Sequence, residues 1–251
     1  MLKNLEYGAW TLSNSTLAWS GYDSLERWKA HNKKKHTREQ LINLGYTDES
    51  ITYKYNEYGF RTEPFHDKGN SIIFLGCSYT VGIGVRYEKT MPYIVSRKLN
   101  LDCINLGIGG RANDTSFRLA NYWLPKLKPR IVVFQPTEHS RFETYNGSSK
   151  DGYPVRCVVN HTPPNKCITD FYYYYLRFDE NIKLNYDKNR LAIEAIANKN
   201  RIKFIQTHDV ELLKGWPKDD LGRDLKHPGV QSHRAMAKRV INKINEESVK
   251  I

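Results

Sequence analysis

From Ser71 onward the hydrophobic positions fall into short solid runs separated by longer stretches of helical spacing. "SIIFLG" is an apolar run closed by Gly, and "MPYIVSRKLNL" follows with a helical period. "DCINLGIGG" runs from a second strand into a Gly-rich loop. "SFRLANYWLPKL" reads as a helix that passes Pro125 by one last turn, and "RIVVFQP" as a third strand. In "FDENIKLNYDKNRLAIEAIANKN" the residues Ile182, Tyr186, Ile193 and Ile196 share one helical stripe. "RIKFIQT" is a fourth strand and "PGVQSHRAMAKRVINKINEE" a closing amphipathic helix. Strands that alternate with helices need crossover connections, which are right-handed and give a parallel sheet covered on both faces.

The flanking segments have a different texture. Residues 1–65 contain no Val and are rich in aromatic and basic residues. Asp23 is placed to cap a helix over about 24–34, with Leu25 and Trp28 on one face and Lys33, Lys34 and Lys35 at its end, where cations suit the helix dipole. Thr37 followed by Gln40 forms a capping-box pattern for a second helix that stops at Gly45. "ITYKYNEYGFRTEPF" alternates like an edge strand ending at Pro64. Residues 140–178 break the strand–helix alternation with Pro154, Pro163, Pro164 and the run Tyr172 to Tyr175. The division expected is an N-terminal extension over 1–65 and an α/β domain over 66–251, with an insertion at about 140–178 lying over one end of the sheet.

At 251 residues the chain suits one large domain that needs neither disulfide nor metal to hold its core. No window approaches the ~18 uncharged apolar residues of a membrane helix, and the N-terminus lacks the apolar core of a secretory signal. A cytoplasmic or virion-associated protein is therefore expected. The 39 Lys and Arg against 27 Asp and Glu leave a formal charge of +12, enough for nonspecific polyanion binding. The cluster from Lys29 to Arg38 is the candidate surface, its alternative being a solvated helix end. Cys157 and Cys167 with His161 between them lack a fourth ligand and zinc-like spacing, so the four cysteines are read as reduced thiols and no metal is expected.

In open α/β sheets ligands bind outside the carboxyl ends of the strands, which directs attention to the residues that follow each run. Ser78 follows the first strand in "LGCSYTVGIG". The G-x-S-x-G elbow fails because position 80 is Thr, which disfavours the α/β-hydrolase fold. A strand-end Ser is also a common turn or cap residue. The second loop, "NLGIGGRAND", brings Gly107, Gly109 and Gly110, which let backbone N–H groups approach an oxyanion. Gly107, Gly109 and Ala112 echo a dinucleotide fingerprint, but no acidic residue stands about 20 residues on, and nucleotide binding is set aside. The last loop, "GRDLKHPGVQSH", places Asp224 three residues before His227, so a carboxylate can hold the imidazole in the tautomer that accepts a proton.

Taken together these segments resemble the SGNH (GDSL-like) hydrolase family, in the manner of a divergent bacterial or phage-type member. "FLGCSYTVGIGV" is similar to the family's first block, with Cys77 where Asp is usual and Ser78 as nucleophile. "INLGIGGRANDT" resembles the second, with Asn105 and then Gly110 as the oxyanion glycine, and "DLKHPGVQSHRAMAKRVI" the last, carrying Asp224 and His227. "YNEYGFR" resembles an upstream N-x-x-G-F-R segment. The resemblance covers roughly 55–145 and 200–245. It implies a three-layer parallel sheet of flavodoxin-like SGNH type with a helical N-terminal extension, and a serine esterase that needs no cofactor. Its expected substrates are small acyl esters, O-acetyl groups on a glycan among them.

The chain departs from the family at its third block, where an oxyanion Asn is usual and "VVFQPTEHSRFE" has Glu138 and His139. A carboxylate at 138 would repel a developing oxyanion unless protonated or turned away, although Arg141 is near enough in sequence to pair with it. Asn113 is a candidate replacement donor, or else a helix cap. The alternative to an esterase is a catalytically impaired binding or structural protein, virion-associated or glycan-binding, that keeps the fold.

Overall fold

The computed structural model describes residues 5–47, 51–65, 69–145, 154–157, 178–207 and 219–246. Near the N-terminus Thr16–Leu17 (β1) pairs antiparallel with Tyr53–Lys54 (β2), and between them stand the helices Leu25–Lys33 (α1) and Lys35–Asn43 (α2). There follow Ser71–Leu75 (β3), Ser78–Val81 (α3), Met91–Leu99 (α4), Asp102–Asn105 (β4), Asn113–Leu127 (α5) and Ile131–Phe134 (β5). Phe142–Tyr145 (β6) and Pro154–Cys157 (β7) form an antiparallel pair, and Asp179–Lys199 (α6), Lys203–Gln206 (β8) and Val230–Glu246 (α7) complete the order.

The main sheet is parallel with the order β4-β3-β5-β8, so its strands taken in chain order run 2-1-3-4, the start of the flavodoxin-like arrangement. Every residue of β3 is buried, as expected of a central strand covered on both faces. Its alternation divides the core in two. Ile73 and Leu75 join Leu119, Trp123 and Ile193 under α5 and α6, whereas Ile72 and Phe74 join Val95, Met236 and Val240 under α4 and α7. The α/β, three-layer class expected from the hydrophobic pattern is the one observed.

Several local expectations are corrected. Asp23 does not cap α1: Ser24 does, its Oγ accepting from Arg27 N at 3.2 Å. Asp23 is instead buried in an ion pair described below. Thr37 lies inside α2, and its hydroxyl donates to His31 O at 2.5 Å across the sharp turn between the helices, which removes the capping box. The edge strand is cut to two residues because Asn56 Oδ1 accepts from Tyr58 N and Phe60 N, folding the chain into a turn. In the first half of α6 the inward face is Asn185 and Asn189, not Ile182 and Tyr186. That half projects onto Asp114 at the start of α5, whose carboxylate takes hydrogen bonds from both Asn side chains.

Within 140–178 the described residues are β6, β7 and their immediate flanks. His161, Cys167 and the run Tyr172 to Tyr175 lie outside the described residues. Among the described residues no group of three His, Cys, Asp or Glu could hold a metal ion, and no helix is long and apolar enough to cross a membrane.

The N-terminal segment is fastened to the sheet domain by charge. Arg223 Nη2 donates to Asp23 Oδ2 at 2.7 Å and to Ala18 O, Nε donates to Asp23 Oδ1, and Trp19 covers the guanidinium face at 3.8 Å. Tyr53 donates its hydroxyl to the same Asp23 carboxylate and accepts from Gly84 N. Both charged side chains are removed from water, 0% and 2% exposed. Arg61, equally buried, donates to the carbonyls of Val81, Gly82 and Val85 and so holds the turn after α3. Removing one member of a buried pair strands the other, so Asp23→Ala is expected to cost about 3–5 kcal/mol. The double variant Asp23→Leu with Arg223→Met is expected to recover part of that loss, both read from urea denaturation midpoints.

Candidate active site

Ser78 is presented at the mouth of the sheet by a tight exit from β3. Gly76 is obligatory there, since a Cβ would fall 2.1 Å from Thr80 Oγ1. Cys77 is the N-cap of α3, and Ser78, partly exposed, is the first helical residue. Thr80 then fixes the turn to the neighbouring strands. Its hydroxyl donates to Gln135 Oε1 at 2.6 Å, beyond β5, and its carbonyl accepts from Asn105 Nδ2 at 2.8 Å, at the end of β4. Asn105 Oδ1 in turn accepts from Gly107 N, so the glycine loop and the Ser78 turn are set against each other.

The His227 loop is shaped by its own backbone. Asp224 Oδ1 accepts from the N–H groups of Lys226 and His227, and Gly222 N donates to His227 O at 2.8 Å. His227 Nδ1 meets Asp224 Oδ2 at 2.5 Å, with His227 6% and Asp224 1% exposed. Burial by itself would raise the Asp224 carboxyl, but hydrogen bonding from His227, its charge and the two N–H groups outweigh this and hold it below the ordinary value. An ionised Asp224 keeps the ring proton on Nδ1 and leaves Nε2 as acceptor. The rings of Tyr79 and Tyr22 flank the imidazole at 5.7 and 6.0 Å. The two loops touch directly: Arg223 N donates to Gly84 O at 2.8 Å, and Gly84, at φ +81°, leaves no room for a side chain.

Ser78 and His227 line one cavity of about 570 Å³, together with Gly107, Gly109 and Gly110 of the second loop. Asp224 lies beneath it, behind the imidazole. Asn113 and Glu138 are not brought to it. Asn113, fully buried at the start of α5, spends its side chain on Thr137, accepting from its N–H at 2.9 Å and donating to its carbonyl at 3.4 Å. Nor is Asn113 the cap, a position held by Ala112. The Glu138 carboxylate is turned to Arg141 Nη2 at 2.9 Å and to the Ser140 hydroxyl, so it does not stand against the oxyanion position as a bare acceptor.

The cavity also has walls that the strand-end rule does not find. Ser20, Gly21, Tyr22 and Tyr55 come from the N-terminal segment, and Arg111, Arg141 and Lys226 from the loops. Lys226 is signalled by its place beside His227, and Arg111 by its place after Gly110. Nothing local marks Tyr22, which arrives only because the Asp23–Arg223 pair draws its segment onto the His227 loop. A second hollow of about 390 Å³, between α7 and the ends of β5 and β8, is lined by no His or Cys among the described residues.

No family model and no curated protein matches the chain. Solved structures that are similar to it include the psychrotrophic esterase EstA from Pseudoalteromonas sp., at 13% identity and a TM-score of 0.38, covering 70% of this chain and 97% of that one. The acetyl xylan esterase Est2A from Butyrivibrio proteoclasticus matches at 13% and 0.40, covering 75% and 66%. A family two carbohydrate esterase from Clostridium thermocellum matches at 15% and 0.34, also covering 75% and 66%. At these values the assignment of chemistry rests on the geometry of the site.

Acid titration of this region has a definite sign. His233, on α7, accepts from Met91 N through Nδ1, and its Nε2 has no partner among the described residues. Burial first, then the charges of Arg61 and His227, push its pKa from 6.5 down to about 3. The unfolded chain therefore binds a proton that the folded one refuses, and the stability present above pH 6.5 is lost as the pH falls toward 3. Asp224, whose folded value lies below 3.8, adds a further loss only below that pH. Urea denaturation across this range is expected to show a shallower decline in His233→Asn, which keeps an acceptor for Met91 N and cannot charge.

Proposed function

We propose that the chain is a serine-dependent hydrolase of small acyl esters, with O-acetyl groups on a glycan as the candidate natural substrate. The observation that carries this reading is the Asp224–His227 pair, closed at 2.5 Å and facing the cavity that Ser78 also lines. In the proposed reaction Ser78 Oγ attacks the acyl carbon while His227 Nε2 takes its proton. Asp224 keeps the ring oriented and steadies the imidazolium that forms. Backbone N–H groups at Ser78 and Gly110 are the candidate oxyanion donors, in place of a side-chain amide. His227 then returns the proton to the leaving alcohol, and a water activated by the same imidazole releases the acid. The mechanism calls for no cofactor.

A second reading, a binding protein with little turnover, is favoured by one observation: Asn113 is consumed by Thr137 and position 138 carries a carboxylate, so neither supplies an oxyanion donor. Removing one such donor typically costs about 10²–10³ in rate. The basic residues from Lys29 to Arg38 stand on α1, which buries no residue, and α2, which buries Leu41 alone. They are proposed as a nonspecific polyanion surface whose binding weakens with salt.

A fluorophosphonate serine-hydrolase probe separates the two readings. Covalent labelling of the wild type and its loss in Ser78→Ala is the result expected of the esterase. On a small acetyl ester, Asp224→Asn is expected to lower kcat by about 10⁴, with the fold retained by circular dichroism. An unlabelled, folded wild type that turns over no acetyl ester would overturn the enzyme and leave the binding protein.

A further inference from the structure

Resting on the esterase reading, we infer that the ester's alcohol half is anionic, as in an O-acylated acidic sugar. Three cations line the cavity, Arg111, Arg141 and Lys226, and among the described residues that line it there is no Asp or Glu. Glu138 pairs with Arg141 from outside the cavity, whereas Lys226 is in no ion pair with a described residue. Asp224 is matched to His227 and buried behind it. The described lining thus carries positive charge, foremost at Lys226 beside the imidazole.

The chemistry says which half of the ester meets this charge. His227 must come within hydrogen-bond reach of the leaving oxygen to protonate it, so the alcohol lies on the imidazole side of the cavity. On that side stand Lys226, next in sequence to His227, and Tyr22, whose ring is 6.0 Å from the imidazole. Lys226 Nζ is 4.1 Å from the centroid of Tyr22 and Arg27 Cζ is 5.2 Å from it. Two cations beside an exposed aromatic ring offer the acidic group of a sugar its charge partners, next to an apolar surface for the ring. The acyl group, by contrast, must enter past Ser78 toward the glycine loop.

The test compares two esters with the same acetyl group, 4-acetoxybenzoate and its methyl ester, each rate divided by its uncatalysed hydrolysis. The anionic ester is expected to be preferred by about tenfold in kcat/KM, the size of one extra charge contact in a partly solvated recess. In Lys226→Glu, at an exposed position that folding tolerates, and separately in Arg111→Glu, that ratio is expected to fall toward one or invert. Raising salt in the wild type is expected to shrink it. Acetylated polygalacturonate against acetylated xylan distinguishes the source of the anion. A preference among the polymers as well as the small esters assigns an acidic polysaccharide, and one confined to the small esters assigns a small anionic metabolite. Turnover with a ratio near one that neither reversal nor salt moves would overturn the charge assignment while leaving the hydrolase intact. Absence of both turnover and probe labelling would remove the hydrolase and this inference with it.

Discussion

Two opposite charges withdrawn from water, Asp23 and Arg223, set the terms for the rest of the molecule. Neither tolerates burial alone, and together they are met by Tyr53, Trp19 and the Ala18 carbonyl, so the attachment is directional as well as strong. Arg223 immediately precedes Asp224. The two are the central residues of a turn closed by Leu225 N donating to Gly222 O, so one short segment is gripped by Asp23 through Arg223 and grips the imidazole through Asp224. Tyr53 extends the same grip to Gly84 in the turn after Ser78. The segment that carries Asp23 and Tyr53 thus clamps the loops that bear Ser78 and His227.

What the sequence makes legible follows from the range of the forces involved. The four strands of the sheet and the helices between them are written in local hydrophobic period, and β3, β4, β5 and β8 lie where the runs place them. Ser78 and His227 share a cavity because strand order and chain direction alone bring strand-end loops together. Asp23, by contrast, reads locally as a cap and behaves globally as an ion-pair partner 200 positions from Arg223, a distance no capping rule can see. The inward face of α6 is misread for a related reason. Asn185 and Asn189 look like solvent-facing residues until the half-buried Asp114 is set beside them, after which their buried amides find a partner in its carboxylate. Asn113 was open between two roles and has a third, locking the loop after β5 by answering both backbone groups of Thr137.

The site shows how one substitution in a loop can be absorbed by its neighbours. A carboxylate at 138 in open view of a reacting carbonyl would oppose ester chemistry, yet Arg141 takes it up through Nε and Nη2 and spends Nη1 on the Thr137 hydroxyl, so the pair is closed on itself at the cavity wall. Glu138 and Arg141 therefore largely cancel each other there, and the charge of the hollow is left to its other walls.

Gly84 meets Gly222 main chain to main chain, at about 3.0 Å from an added Cβ to the opposing backbone. The spacing between the two loops that carry Ser78 and His227 is therefore gauged by peptide groups, whose dimensions no substitution alters. Walls such as Tyr22, Arg111 and Lys226 are side chains, so replacing them changes what the hollow admits while the spacing of the two loops stays fixed. The shape of the entrance and the spacing of the loops behind it are thereby set by different parts of the chain: side chains for the one, main chain for the other.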